Sequence, residues 1–191
     1  QIYSQSEAPN CATVLRRHEH VGGDLVRLSS CGRPLAGIKV ELLDEAARPV
    51  AVGEVGEICF RGPSIMNGYW QRPEETAETF RDGWLHTGDM AKFDADGFIF
   101  IVDRRKDMIV SGGFNVFPRE VEDVLTTHPA VAAAAVIGVP DEKWGEAVKA
   151  IVVLRPDAAA EGSELIAHVK ARKGAGSAPK SVYFVGAISL T

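Results

Sequence analysis

The chain has 191 residues, of which 46% are hydrophobic and 25% are charged, so it can form the core of one or two globular domains. Its formal net charge of −5 argues against a general affinity for nucleic acid or anionic lipid, and no apolar run approaches the roughly 20 residues of a membrane-spanning helix. The three cysteines, Cys11, Cys31 and Cys59, are far apart and odd in number, which favours buried free thiols in a cytoplasmic protein.

The first half of the chain has the pattern of a β-rich region. Residues 24–62 alternate short apolar runs with turn residues, and the runs at 37–43 and 57–60 predict strands of a small sheet or barrel. Pro73, which acidic residues follow, predicts the start of a short helix. A further apolar run at residues 98–102 predicts another strand.

The second half has the pattern of a small α+β domain. The charged run at residues 103–107 separates two apolar segments, which predicts a boundary between residues 1–103 and residues 104–191. Beyond it, the pattern predicts a helix that begins at Pro118, a helix that Ser163 caps, and strands at residues 131–137, 147–154 and 182–185. The predicted fold class of the whole chain is therefore α+β.

Four local motifs follow one another along the chain. The first is Tyr3-Ser4-Gln5-Ser6-Glu7, which is expected as a loop, and the second is the stretch from Gly56-Glu57-Ile58 to Phe80. The third is Gly83-Trp84-Leu85-His86-Thr87-Gly88-Asp89, which is expected to turn sharply at Gly88, and the fourth is residues 103–118 followed by Glu120-Val121-Glu122. Each motif alone is weakly specific. Together, and in this order, they resemble the acyl-CoA synthetases of the adenylate-forming superfamily, to which luciferases of the firefly type and peptide-synthetase adenylation domains are more distantly similar.

The resemblance implies an ATP-dependent ligase that joins a carboxylic acid, with a fatty acid favoured, to coenzyme A through an acyl-adenylate. Residues 1–103 would be the C-terminal part of the large AMP-binding domain, a β-rich distorted barrel. Residues 104–191 would be the small mobile domain, with a short sheet and flanking helices, cut before the turn that carries the catalytic lysine. Because that lysine and the phosphate loop are absent and the chain begins at Gln1, we expect a fragment that is inactive alone.

Five residues are candidates for the nucleotide site. The Tyr3 ring offers a flat face for adenine, the Ser6 hydroxyl can donate to a phosphate, and the Glu7 carboxylate offers the hard oxygen that Mg²⁺ prefers. The resemblance gives Ser6 and Glu7 catalytic roles. An ionised Asp89 can accept both ribose hydroxyls, and the planar guanidinium of Arg104 suits a second ribose contact.

The resemblance also assigns a hinge and a coenzyme A site. Lys106 occupies the hinge position, about which the small domain rotates between the two half-reactions. Gly112 and Gly113 permit a backbone that lies close to the pantetheine arm, and Trp144 either stacks on the coenzyme A adenine or simply packs. His86 is more typical of a packing residue than of a general base.

Two other classes of function compete with the ligase. One is a non-catalytic module that binds coenzyme A or a protein partner, although such a module has no use for a nucleotide site. The other is a peptide-synthetase adenylation domain, which Trp144 disfavours because it points to free coenzyme A. Fatty, aryl and alicyclic acids all remain compatible with these residues.

Overall fold

The computed structural model describes residues 1–21 and 24–188, with only the backbone of Asn10 and Cys11. The chain divides into two compact units, Gln1–Arg105 and Lys106–Thr191. Each unit has its own hydrophobic core, so that Ile99 belongs to the first core and Ile109 to the second. Within the described residues, no helix is both long and apolar enough to cross a bilayer.

Two antiparallel sheets make up the first unit. Its strands are β1 (Ile2–Gln5), β2 (Ala8–Val14), β3 (Arg33–Pro34), β4 (Lys39–Leu43), β5 (Gly56–Arg61), β6 (Phe80–Arg81), β7 (Trp84–Phe93) and β8 (Ile99–Arg104). The smaller sheet has the order β1-β2-β3, and the larger has the order β4-β5-β7-β6, with β8 also paired with β7. Helices α1 (Leu25–Leu28) and α2 (Pro73–Thr79) and a 3-10 turn (Arg17–His20) lie between the strands.

The larger sheet is centred on β5, which is buried on both faces. Ile58, Cys59 and Phe60 are fully buried in succession, so the strand is a continuous apolar run without alternation. Gly56 begins this strand because a Cβ atom there would lie 2.9 Å from the backbone carbon of Leu42. The short helix predicted from the proline and its acidic neighbours is α2, which has that proline in its first turn.

The second unit packs two helices against one mixed sheet. Its elements are a 3-10 turn (Arg105–Asp107) at the junction, β9 (Ile109–Ser111), β10 (Phe114–Val116), α3 (Pro118–Thr126), β11 (Val131–Asp141), β12 (Gly145–Leu154), α4 (Gly162–Ser177) and β13 (Ser181–Phe184). The sheet has the order β10-β9-β12-β11, and β13 pairs with β12 in parallel. Val121 and Leu125 of α3 and Leu165 and Val169 of α4 are buried in its core.

Four local predictions need correction. The prediction that Ser163 caps a helix is wrong, because α4 begins at Gly162 with Glu161 in the N-cap position. The strand predicted at residues 131–137 continues to Asp141, since its ladder with β12 runs to the hairpin end. Residues 3–7, expected as a loop, are the end of β1 and a two-residue turn, and Gly88 lies inside β7 as a bulge.

Candidate functional site

Asp89 is the centre of the first candidate site. It lies on β7, and its direct partner across the ladder is Arg104 at the end of β8, whose Nε is 3.8 Å from Asp89 Oδ1. Asp89 Oδ2 accepts hydrogen bonds from the Tyr3 hydroxyl and, at 3.0 Å, from Gln5 Nε2. The structure thus brings together Tyr3, Asp89 and Arg104, three of the five residues predicted for the nucleotide.

Tyr3 is held at both ends of its side chain. Its ring packs against Phe60 with 5.8 Å between the centroids and an interplanar angle of 53°. Burial, together with the hydrogen bond to Asp89 and the charge of that carboxylate, raises the pKa of the Tyr3 hydroxyl well above its ordinary range. The phenol is therefore a permanent donor to Asp89, and the role of its ring in adenine stacking stays a prediction.

Ser6 and Glu7 form the turn between β1 and β2. The Ser6 side chain is exposed, while Glu7 is half-buried and its Oε1 accepts a hydrogen bond of 2.6 Å from the Tyr69 hydroxyl. That hydrogen bond is the main cause of the raised pKa of Tyr69. The Glu7 backbone oxygen also accepts from the Met66 amide at 2.9 Å, so the turn is fixed against residues 66–69. A single held carboxylate beside an exposed hydroxyl fits Mg²⁺, which usually takes one or two carboxylates together with substrate phosphates.

Sequence reasoning missed Gln5 and Glu57. Gln5 Nε2 lies 3.1 Å from the Thr87 carbonyl oxygen and 3.1 Å from the Tyr3 hydroxyl, so one amide ties β1 to the bulge of β7. Glu57 is a buried carboxylate that directly precedes the apolar run Ile58–Phe60 of strand β5. A charge in such a strand is a readable signal, because buried charges require partners, whereas nothing in the local sequence marks Gln5.

His86 is a buried partner of Glu57. Its Nδ1 is 2.9 Å from Glu57 Oε2 and 3.4 Å from Cys59 Sγ, and its Nε2 has no hydrogen-bond partner among the described residues. These three side chains are close enough to hold a metal ion. However, Arg105 and Arg81 already occupy Glu57 Oε2, and burial with the charge of Glu57 raises the pKa of Cys59 to about 12. A carboxylate that is already paired with two guanidinium groups does not suit a metal.

Gly112 and Trp144 meet in the second unit. Gly112 and Gly113 form the turn between β9 and β10 with φ of +59° and +82°, and Trp144 lies in the turn between β11 and β12. The Gly112 amide donates to the Trp144 carbonyl oxygen at 2.8 Å, and a Cβ atom on Gly112 would be 2.6 Å from Trp144 Cε3. The Trp144 ring also has the ammonium groups of Lys143 and Lys180 within 4.8 Å and 4.6 Å of its centroid. The half-buried indole thus contacts the Gly112 backbone and two ammonium groups, and its role in stacking on coenzyme A stays a prediction.

Lys106 and the buried cysteines complete the predicted positions. Lys106 is exposed, lies in the 3-10 turn Arg105–Asp107, and is the first residue of the second unit. Lys106 therefore stands where the two units join, which is the position that a hinge requires, and its role in motion stays a prediction.

Cys31 and Cys59 are buried free thiols, and the Cys11 side chain lies outside the described part of the structure.

Two family profiles match the chain. The profile of the AMP-binding enzymes matches residues 1–70, and that of the AMP-binding enzyme C-terminal domain matches residues 120–191. The chain belongs to the AMP-binding, adenylate-forming enzymes. The family inferred from the four motifs is thereby confirmed.

Similar enzymes of this family align along the whole chain. The chain is 58% identical to the medium/long-chain-fatty-acid–CoA ligase FadD8 of Mycobacterium tuberculosis, with 100% of this chain and 34% of that protein covered. It is 46% identical to a feruloyl-CoA synthase of an Amycolatopsis species, with 100% of this chain and 38% of that protein covered. The chain thus spans little more than a third of the length of these relatives.

Solved structures of the family share the fold. The amide bond synthetase McbA from Marinactinospora thermotolerans has a TM-score of 0.85 and 42% identity, with 100% of this chain and 39% of that one covered. The o-succinylbenzoate CoA synthetase MenE from Bacillus subtilis, in complex with its acyl-adenylate intermediate, has a TM-score of 0.81 and 33% identity, with 99% and 38% covered. The α+β fold class predicted from the sequence is confirmed.

Proposed function

We propose that this chain is part of an ATP-dependent carboxylic acid–CoA ligase that works through an acyl-adenylate, and that its first unit binds the nucleotide ribose. The observation that carries the proposal is the convergence of Tyr3, Asp89 and Arg104, which come from β1, β7 and the end of β8. Tyr3 and Arg104 come from different strands and meet at the carboxylate of Asp89. An ionised carboxylate beside a guanidinium can bind vicinal hydroxyls.

The chemistry proceeds in two half-reactions. In the first, an oxygen of the substrate carboxylate attacks the α-phosphorus of ATP, the new O–P bond forms, and pyrophosphate leaves with the electrons of the broken bond. In the second, the sulfur of coenzyme A attacks the acyl carbonyl carbon, AMP leaves, and the thiol proton is released. The residues of this chain contribute by positioning, which is the main source of rate in phosphoryl transfer.

Each candidate residue takes one positioning role. Asp89 accepts the ribose hydroxyls and Arg104 donates to a ribose oxygen, so the α-phosphate is held at a fixed distance from this pair. Ser6 donates to a phosphate oxygen, and Glu7 would hold the Mg²⁺ ion that neutralises the charge of the triphosphate. The Tyr3 ring forms one wall of the adenine pocket, while its hydroxyl keeps Asp89 in place.

The second unit supplies the coenzyme A side and the hinge. The turn of Gly112 and Gly113 presents a bare backbone to the pantetheine arm, and Trp144 is the stacking surface for the coenzyme A adenine. Lys106 is the residue at which the second unit turns between the half-reactions. A fatty acid is the favoured substrate because the 58% identical relative is a medium/long-chain-fatty-acid–CoA ligase, and an aryl acid is the alternative because a feruloyl-CoA synthase is 46% identical.

A non-catalytic binding module is the weaker alternative. A module that only docks coenzyme A or a protein does not need a carboxylate with three polar partners at the ribose position. The similarity to an amide bond synthetase instead makes the nature of the acceptor a separate question, since an amine can replace the thiol in the second half-reaction.

The decisive experiment uses the protein that carries this chain and a panel of fatty, aryl and alicyclic acids. Pyrophosphate release without coenzyme A reports adenylation, and mass spectrometry of the product after addition of coenzyme A, or of an amine, reports transfer. We expect Asp89→Asn to raise the KM for ATP about 10-fold, or about 1.4 kcal/mol, because a neutral amide cannot accept both hydroxyls.

The matched control is Asp82→Asn. Asp82 is exposed, lies in the same unit, and has a φ of +52°, which asparagine tolerates. We expect its KM for ATP to equal that of the wild type. If none of the acids gives pyrophosphate release, the proposed ligase activity is wrong. If the KM values for ATP of the two variants are equal, the proposed ribose site is wrong.

A further inference from the structure

Glu57 binds Gly88 and Arg105, the sequence neighbours of Asp89 and Arg104. Asp89 and Arg104 are called the ribose pair below. Its Oε1 accepts the amide of Gly88 at 3.0 Å, and Gly88 immediately precedes Asp89. Its Oε2 accepts Arg105 Nη1 at 3.0 Å, and Arg105 immediately follows Arg104. One buried carboxylate therefore accepts from the backbone next to Asp89 and from the side chain next to Arg104.

The bulge of β7 needs this carboxylate. In the ladder with β5, Cys59 pairs with His86 and Glu57 pairs with Met90, so two steps along β5 face four steps along β7. Residues 87–89 face only Ile58, so they lack a regular ladder with β5, and their half-buried amides must be paired elsewhere. Gly88 donates to Glu57 Oε1, and the Asp89 amide donates to Thr87 Oγ1 at 3.1 Å. The Glu57 side chain thus replaces the missing β5 partner of Gly88, the residue before Asp89.

The carboxylate is ionised and strongly paired. Burial alone would raise the pKa of Glu57, but the hydrogen bond and charge of His86, the Gly88 amide and the charge of Arg105 together lower it. Only 6% of the residue is exposed, so its charge is poorly screened by solvent. Loss of the charge leaves the donors of Gly88, Arg105 and Arg81 without an ionised acceptor.

We propose that Glu57 is a positioning residue for nucleotide binding, which holds Asp89 through the β7 bulge and Arg104 through Arg105. This inference rests on the proposed ribose role of Asp89 and Arg104, and it assigns the buried network beneath them a part in ATP affinity. In Glu57→Gln, either orientation of the amide turns an N–H group towards an N–H donor, because Gly88 lies on one side and His86 with Arg105 on the other. The bulge and the end of β8 would then lose their common anchor.

Arg105 and Arg81 provide a matched pair for the test. Both donate to Glu57 Oε2, at 3.0 Å and 3.3 Å, and their side chains are 41% and 44% exposed. Only Arg105 adjoins Arg104, whereas Arg81 lies in the short strand β6. A simple loss of countercharge at Glu57 would affect both variants equally, but loss of positioning would affect only Arg105→Gln.

The experiment measures the adenylation half-reaction of the protein that carries this chain, with separate KM values for ATP and for the acid, and AMP binding by calorimetry. We expect Glu57→Gln and Arg105→Gln to raise the KM for ATP and the Kd for AMP about 10-fold, with the KM for the acid within about twofold. Arg81→Gln should keep all three constants within about twofold of the wild type.

Three results would overturn the proposal. Equal effects of Arg105→Gln and Arg81→Gln would reduce Glu57 to a structural ion pair. Unchanged ATP constants in Glu57→Gln and Arg105→Gln, beside a raised constant in Asp89→Asn, would remove the positioning role and leave the proposed function intact. An unchanged constant in Asp89→Asn would remove the ribose site itself. Should Glu57→Gln fail to fold, the comparison of the two arginine variants decides the question.

Discussion

The candidate nucleotide site of the first unit and the Gly112–Trp144 contact of the second are held by different forces. Asp89 and Glu57 are carboxylates that accept several hydrogen bonds in partly or fully buried surroundings. Trp144 is fixed by close packing on a residue without a side chain and by one backbone hydrogen bond. Substitutions that remove a charge should therefore damage the first site, and substitutions that add side-chain volume should damage the second.

The largest effect should come from the residue that lies between the two regions. Lys106→Pro fixes φ near −65° and removes a backbone donor, which should block the rotation between the half-reactions. We expect one half-reaction to slow about 100-fold, or about 2.7 kcal/mol, with little change in the other. Single-turnover measurements of acyl-AMP formation without coenzyme A, and of thioester formation from preformed acyl-AMP, separate the two steps.

Lys106→Ala is the control for the hinge variant, since it removes the same ammonium group but leaves the backbone free. We expect its two half-reactions to remain near those of the wild type. Equal losses in both steps of the proline variant would show that Lys106 is only a solvated charge. The same one-sided loss in the alanine variant would assign the effect to the ammonium group and not to the backbone.

A smaller effect should separate Gly112 from Gly113. Both have positive φ, so alanine is strained at either position, but only at Gly112 would the new Cβ meet Trp144, at 2.6 Å. We expect Gly112→Ala to lower kcat/KM for coenzyme A about 10-fold more than Gly113→Ala, or about 1.4 kcal/mol. Adenylation measured without coenzyme A should be similar in both variants. If the two losses in the thioester step are alike, backbone strain explains them and the packing of Trp144 does not.

The smallest effect concerns acid sensitivity, which should begin at different pH in the two units. His168 Nδ1 accepts from Arg172, so its Nε2–H donates to the Val124 carbonyl oxygen and Thr127 Oγ1 between α4 and α3. Burial and the charge of Arg172 lower the pKa of His168 below its ordinary value of 6.5. A histidine whose pKa is lowered by folding contributes stability that is complete above about pH 6.5 and declines as the pH falls below it.

Glu57 has the same sign in a lower window. Its lowered pKa stabilises the first unit above the ordinary glutamate value of 4.5, and this contribution is lost only as the pH falls through the lowered value.

Hydrogen exchange, corrected for intrinsic rates, should therefore show a loss of protection in α3 and α4 between pH 6.5 and 5.5. The loss should be below about fivefold, because solvent screens the half-buried imidazole of His168. His168→Gln should flatten this response, and His18→Gln in the first unit should not. A simultaneous loss in both units would contradict the assignment.

The positions where sequence reasoning failed share a cause. The Tyr3–Glu7 motif was expected as a loop, but its first residues pair with β2, and this pairing depends on a strand that has no strong apolar alternation. The turn expected at Gly88 is a bulge inside β7, which only the register with β5 reveals. Local propensity carries no information about register when the partner strand is 30 residues away.

Short-range patterns determined the elements and the chemistry that the chain can offer. Proline and its acidic neighbours marked α2 and α3, the apolar runs marked β5, β8 and β12, and four ordered motifs identified the family and most candidate residues. Tertiary structure alone decided that Tyr3 donates to Asp89, that Gly112 packs on Trp144, and that Glu57 accepts from Gly88 and Arg105. The reason is physical: helix starts and strand burial depend on neighbours within a few residues, whereas a buried carboxylate acquires its role from donors that the fold brings from 24 to 48 positions away.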